Sequence, residues 1–228
     1  HGGLAAWDLD TALVNRIPEI PLREIQGEIC ISPAVVWTRI NNVESPQLYP
    51  VFPWRIYGLG RPDIQIARNT YFMDDYVQQM RSSRGWKQDN IWAPLLGVTH
   101  HAVQLCKEKF ENGPYRFPAF WERGFDWAPD HNRGGSAMIG LQEMLLQEKP
   151  DGELMIFPCW PTEWDAEFRL HATGGRIVDA KIENGKITAT TTIGSGKQTV
   201  VTDIASPLRV SIFGDSYSTF QDYITPST

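Results

Sequence analysis

The sequence predicts an α+β protein, with helices first and strands after, on three observations. Between residues 62 and 147, apolar residues recur at helical spacing in three long stretches. From residue 150 onward the period shortens to two, and Asn184-Gly185 sits between two alternating runs, a strong hairpin signal. The polar turn EKPDGE, residues 148–153, separates the two textures.

Leu4 to Leu13 carries apolar residues at helical spacing and reads as the end of a helix. Ile17 to Ser32, broken by Pro18, Pro21 and Gly27, reads as an irregular loop holding Glu19, Glu24 and Glu28, a solvated surface. The apolar run Val35 to Ile40 is interrupted by turn residues from Asn41 to Pro46. Pro62 is suited to the first turn of a helix reaching about Met80, with Ile66, Met73, Val77 and Met80 on one stripe. A second helix is expected over Ile91 to Phe110, stopped by Asn112-Gly113-Pro114, with Pro94 and Gly97 able to displace its start. His100 and His101 lie within it as surface or packed residues, without the further ligands that a metal needs. Strands follow at Leu154 to Pro158, Ala166 to Leu170, Ile177 to Ile182, the run KITATTTI, and Gln198 to Thr202.

The third helical stretch carries the densest polar cluster. Asp130, His131, Asn132 and Arg133 stand in consecutive positions before Gly134-Gly135, and then Ala137, Leu141, Met144 and Leu145 recur at helical spacing. The glycine pair suggests a tight turn, with Ser136 as the helix N-cap. A polar loop held by a buried helix suits a carboxylate that meets a ligand, while Pro-Asp before glycines is also ordinary turn chemistry. Just upstream, the aromatic loop YRFPAFWERGFDW, residues 115–127, offers Trp121, Phe125 and Trp127 as flat faces and Glu122, Arg123 and Asp126 as polar contacts at the mouth of a pocket.

The run PDHNRGGSAMIGLQEMLLQ, followed by GELMIFPCWPTEW and RIVDAKIENGKI, resembles the end of the catalytic domain of glycoside hydrolase family 95, which holds inverting α-L-fucosidases and their relatives. The family segment reads DGNFGGTAGIAEMLLQ, then a strand ending in LLPALP. Aligned without gaps, Asp130 and Asn132 fall on its Asp and Asn, and Gly134-Gly135 on its glycine pair. The resemblance implies Asp130 as general base, Asn132 orienting it or the water, and His131 and Arg133 touching substrate. Those two replace the family's Gly and Phe, which points toward a more polar, acidic sugar. A second segment, LYPVFPWRIYGLGRPD, is similar to the family's HRHVSHLYGLYP. Leu48, Tyr49 and Pro53 match, but Asn42, Glu44 and Gln47 stand at the histidine positions. Glu44 can accept from sugar hydroxyls as an imidazole can, or simply start a turn before Pro46.

The resemblance further implies residues 1–149 as part of an (α/α)6 catalytic domain and 150–206 as a C-terminal β-sandwich. The tail LRVSIFGDSYS is a strand running into Gly214-Asp215-Ser216, similar to the first block of SGNH (GDSL-type) hydrolases. Residues 207–228 would then start such a domain, with Ser216 as its nucleophile, activated by a base further on.

Composition agrees with this reading. A net charge of −6 without basic runs argues against nucleic acid, and no apolar run approaches a membrane span. Nine tryptophans favour a carbohydrate cleft with flat aromatic faces, and a glycan substrate. Cys30, Cys106 and Cys159 form no metal motif and read as buried thiols, and no cofactor is expected. Inverting hydrolysis needs an acid and a base roughly 6.5–9.5 Å apart, and no partner acid for Asp130 is evident in the chain. The expected protein is therefore a piece of a larger, periplasmic or extracellular multidomain enzyme. It would be inactive alone and completed by the N-terminal part of the same catalytic domain. A non-catalytic carbohydrate-binding relative, or a positioning module for an SGNH esterase, are the other readings.

Overall fold

A computed structural model describes residues 16–112, 130–193 and 202–205. It confirms mixed helix and sheet, with helices before the main sheet. The elements are β1 (Leu22–Ile25), β2 (Glu28–Ile31), a 3-10 turn (Pro46–Leu48), α1 (Ile64–Met73), α2 (Asp75–Met80), α3 (Asp89–Leu95), α4 (Thr99–Phe110) and α5 (His131–Leu145). Then come β3 (Leu146–Glu148), β4 (Leu154–Ile156), β5 (Ala166–Ala172), β6 (Arg176–Glu183), β7 (Lys186–Ile193) and β8 (Thr202–Ala205).

The stretch Ile17 to Ser32 is not an irregular loop but contains the antiparallel hairpin β1–β2. Its turn is Gln26-Gly27, both left-handed at φ 52° and 86°, the backbone a two-residue hairpin needs. Gln-Gly lacks the Asn or Asp that usually announces such a turn, and the prolines mask the alternation. The hairpin is pinned to α1, where Thr70 Oγ1 accepts from Ile31 N at 2.7 Å and Asn69 Nδ2 donates to Ile29 O at 3.1 Å.

Both long helices expected upstream of α5 are split, each for a local reason. Asp74, in extended backbone, ends α1 and caps α2 by accepting from Tyr76 N at 2.9 Å and Val77 N at 3.2 Å. The same carboxylate accepts from Gln47 Nε2 at 3.0 Å and pairs with Arg23, so it ties β1 and the 3-10 turn to the α1–α2 junction. Between α3 and α4, Gly97 at φ 75° turns the chain through a conformation other residues resist.

The start of α5 also differs from expectation. Asp130, not Ser136, is the N-cap, accepting from Asn132 N at 2.9 Å, and Gly134-Gly135 lie inside the helix. A helical glycine costs about 1 kcal/mol relative to alanine. Polar anchoring of the first two turns, described below, offsets it. Further along, Arg55 makes two contacts with the buried Glu143 carboxylate, which burial pushes upward in pKa against the pull of Arg55.

Two apolar clusters result. The helical one includes Trp92, Tyr71, Leu96, Ile91, Met144, Cys106 and Cys159, and Cys30 is buried as well. The second lies on one face of the antiparallel sheet β5-β6-β7-β8. Phe168 pairs with Ala180, and Ala180 with Ala189, on the buried face. The opposite face carries pairs such as Arg169–Asp179. Leu146, Ile156 and Phe157, from β3–β4 and the residue after it, cover the apolar face, and Trp160 packs against both clusters. Asn184-Gly185 forms the anticipated β6–β7 turn, at φ 50° and 75°.

The tightest helix contact is between α3 and α5. A Cβ placed on Gly140 would lie 2.2 Å from Asn90 Nδ2 and 2.6 Å from Asn90 O. The backbone oxygen cannot swing away, so Gly140→Ala must force the helices apart. We expect Gly140→Ala to lower unfolding free energy by about 1–3 kcal/mol in a denaturant titration. An unchanged midpoint would mean the helices are not in close contact there.

Candidate functional site

The Asp130–Arg133 motif is placed at the N-terminus of α5, and its residues do different things. His131 and Asn132 are exposed, while Asp130 and Arg133 are each 5% exposed. Arg133 turns inward. Its Nη1 donates to Ser83 O at 3.2 Å and its Nη2 to Glu108 O, so the guanidinium joins α5 to the end of α4 and to the loop of residues 81–88. Lys109, on α4 and fully buried, reaches the same loop: Nζ donates to Gly85 O at 2.7 Å and to Ser136 Oγ at 2.6 Å. Ser136 Oγ in turn donates to Arg133 O at 3.1 Å, and Ser136 O accepts from Asn90 Nδ2 at 2.7 Å. Ser136 is thus a junction between three helices rather than a cap.

Burial, then the neighbouring Arg133 charge, push the Lys109 ammonium down to about 7, while Asp89 and Asp130 oppose them. Asp89 and Lys87, both buried, form an ion pair at 3.4 Å. Desolvation drives each toward its neutral form, the carboxylate up and the ammonium down, against their mutual attraction.

On its other side the same loop borders a cavity of about 140 Å³ lined by Glu44, Ser45, Tyr49, Trp86, Gln88 and Trp92. Glu44, half-buried, accepts from Tyr49 OH at 2.7 Å and from Asn42 Nδ2 at 3.2 Å. Burial, then the Glu44 carboxylate, hold the Tyr49 phenol well above its usual range, which keeps it a donor. Lys87 Nζ donates to Val43 O at 2.8 Å, fastening the Glu44 segment to the loop. Ser45 Oγ and Gln88 Oε1 are buried without a hydrogen-bond partner among the described residues. Trp92 Nε1 donates to Phe52 O at 3.2 Å, so that indole is fixed in the wall.

The structure therefore brings Glu44 to a cavity and places Arg133 behind the loop that carries two of the cavity's side chains. Trp121, Arg123, Trp127 and Ser216 lie outside the described residues, as do the stretch Leu4 to Leu13 and the tail 207–228. Sequence reasoning missed Trp86, Gln88 and Ser45. Trp86 stands in RSSRGWKQ, just past the expected end of the helix at Met80, and an indole flanked by glycine and polar residues is a usable signal. No protein-family profile, curated protein or solved structure matches the chain.

The lowered Lys109 value has a measurable consequence. The folded state releases this proton near pH 7, whereas the unfolded chain keeps it to about the model-peptide value of 10.5. The unfolded state then binds more protons, and stability rises with pH. Between about pH 7 and 9 we expect the wild type to gain stability relative to Lys109→Met, by at most about 1 kcal/mol per pH unit. Parallel pH profiles for the two proteins would show that folding does not lower the Lys109 pKa.

Proposed function

We propose that this chain is part of an inverting glycoside hydrolase acting on complex glycans, with Asp130 as general base. What supports a glycan ligand is the Glu44 cavity, which Asp130 does not line: two indoles, a phenol, a carboxylate, an amide and a hydroxyl in one small concavity are groups that hold a sugar ring and its hydroxyls. The resemblance of the Asp130 segment to the family's base segment adds the chemistry. Asp130 would take a proton from water as the water oxygen attacks the anomeric carbon. The glycosidic C–O bond breaks, and a carboxylic acid protonates the leaving oxygen. That acid would come from the N-terminal part of the same catalytic domain. The helices would belong to an (α/α)6 toroid, the β5–β8 sheet to a β-sandwich, and residues 207–228 to the start of an SGNH domain with Ser216 as nucleophile.

One observation favours a second reading. Asp130 is buried and spends one carboxylate oxygen on the α5 cap, so the chain could serve as a carbohydrate-binding or positioning module attached to an SGNH carbohydrate esterase.

Asp130→Asn separates the two, because asparagine caps helices as well as aspartate but cannot take a proton from water. In the whole protein that carries this chain, we expect Asp130→Asn to lower glycan hydrolysis by about a thousandfold with the melting temperature and glycan affinity kept. Glycan binding without hydrolysis, in wild type and variant alike, would move the chemistry to Ser216.

A further inference from the structure

We infer that the Glu44 cavity selects a sugar bearing a protonated amine, a hexosamine, over a neutral hexose or a uronic acid; this rests on the reading of the cavity as a sugar site. Glu44, Gln88 and Ser45 bring oxygens to it that can take a further donor, although Ser45 is also a donor itself. Glu44 brings a carboxylate whose two described partners, Tyr49 and Asn42, are neutral donors. Gln88 Oε1 and the fully buried Ser45 Oγ face no partner among the described residues. Buried oxygens without donors are unfavourable until something supplies N–H or O–H groups.

Lys87 feels the Glu44 charge but does not reverse this balance. Its ammonium is held by Val43 O at 2.8 Å and by Asp89 at 3.4 Å. Glu44 therefore brings a carboxylate with no ion pair of its own among the described residues. The aromatic wall acts in the same direction, because indole faces attract cations; Trp92 already has Lys87 Nζ 5.7 Å from its ring centroid. A uronate would bring a second carboxylate to Glu44. Arg133, the basic residue that the sequence offered for an acidic sugar, instead donates to Ser83 O and Glu108 O on the far side of the loop.

The test is calorimetric titration of the 228-residue chain at about pH 6 with the methyl glycosides of glucosamine, glucose and glucuronic acid, in wild type, Glu44→Gln and Trp86→Ala. Thermal melts of each variant confirm folding. Glucosamine should bind about tenfold tighter than glucose, and glucuronate most weakly. Glu44→Gln, which keeps an acceptor for Tyr49, should erase most of the glucosamine advantage, and Trp86→Ala should weaken every sugar. Equal glucose and glucosamine affinities that depend on Trp86 would overturn amine selectivity and leave the sugar site standing. So would a glucosamine preference that survives Glu44→Gln. Glucuronate binding as tightly as glucosamine would also overturn the selectivity, and no binding of any of the three by folded wild type would overturn both.

Discussion

Two buried basic side chains tie the helices of this structure to one loop. Arg133 and Lys109 both end on backbone carbonyls of the loop between α2 and α3, at Ser83 and Gly85. A cation taken out of water is unfavourable by several kcal/mol unless its donors are met. Here part of that requirement is met by the loop's own carbonyls, which ties the loop to α4 and α5. Lys87 and Asp89, on the loop's last turn and the start of α3, extend the same arrangement toward the Glu44 segment. Trp86 and Gln88 face the cavity because their neighbours are clamped on either side.

This explains why the conspicuous motif and the cavity are different places. Asp130, Arg133 and Ser136 look like a ligand-binding loop because they are polar, consecutive and followed by glycines. Their geometry turns most of that polarity inward: Asp130 caps a helix, Arg133 crosses to another helix, and Ser136 ties three together. Only His131 and Asn132 remain exposed. The cavity is one element away, bordered by the loop that the motif supports.

The fold was legible where the signal is local. Asn184-Gly185 announced its hairpin, alternation announced β5 to β7, and helical periodicity located the stretches that hold α1 to α5 but not the breaks within them. It failed where a side chain far away decides the outcome. Asp74 breaks a helix partly because Arg23 and Gln47 are there to share its carboxylate. Helix α5 runs through two glycines because its first turns are anchored to α3, α4 and the loop. The Gln26-Gly27 turn was missed because its residues only weakly prefer the backbone they adopt. For the site, Glu44 was legible through its place at one of the histidine positions of the family segment that this stretch resembles. Trp86, Ser45 and Gln88 were not, since nothing in the linear order says that residues some forty positions apart share a cavity.

Arg133 is joined to the cavity through the loop that carries Trp86. A double-mutant cycle with Arg133→Met and Trp86→Ala, read as methyl glucoside affinity, tests it most directly. Coupled residues should give an interaction energy of about 1 kcal/mol or more, because a loop already without Trp86 has little left for Arg133 to position. Strictly additive losses in two folded single variants would contradict the account, and Arg133 would then be a structural link with no bearing on recognition.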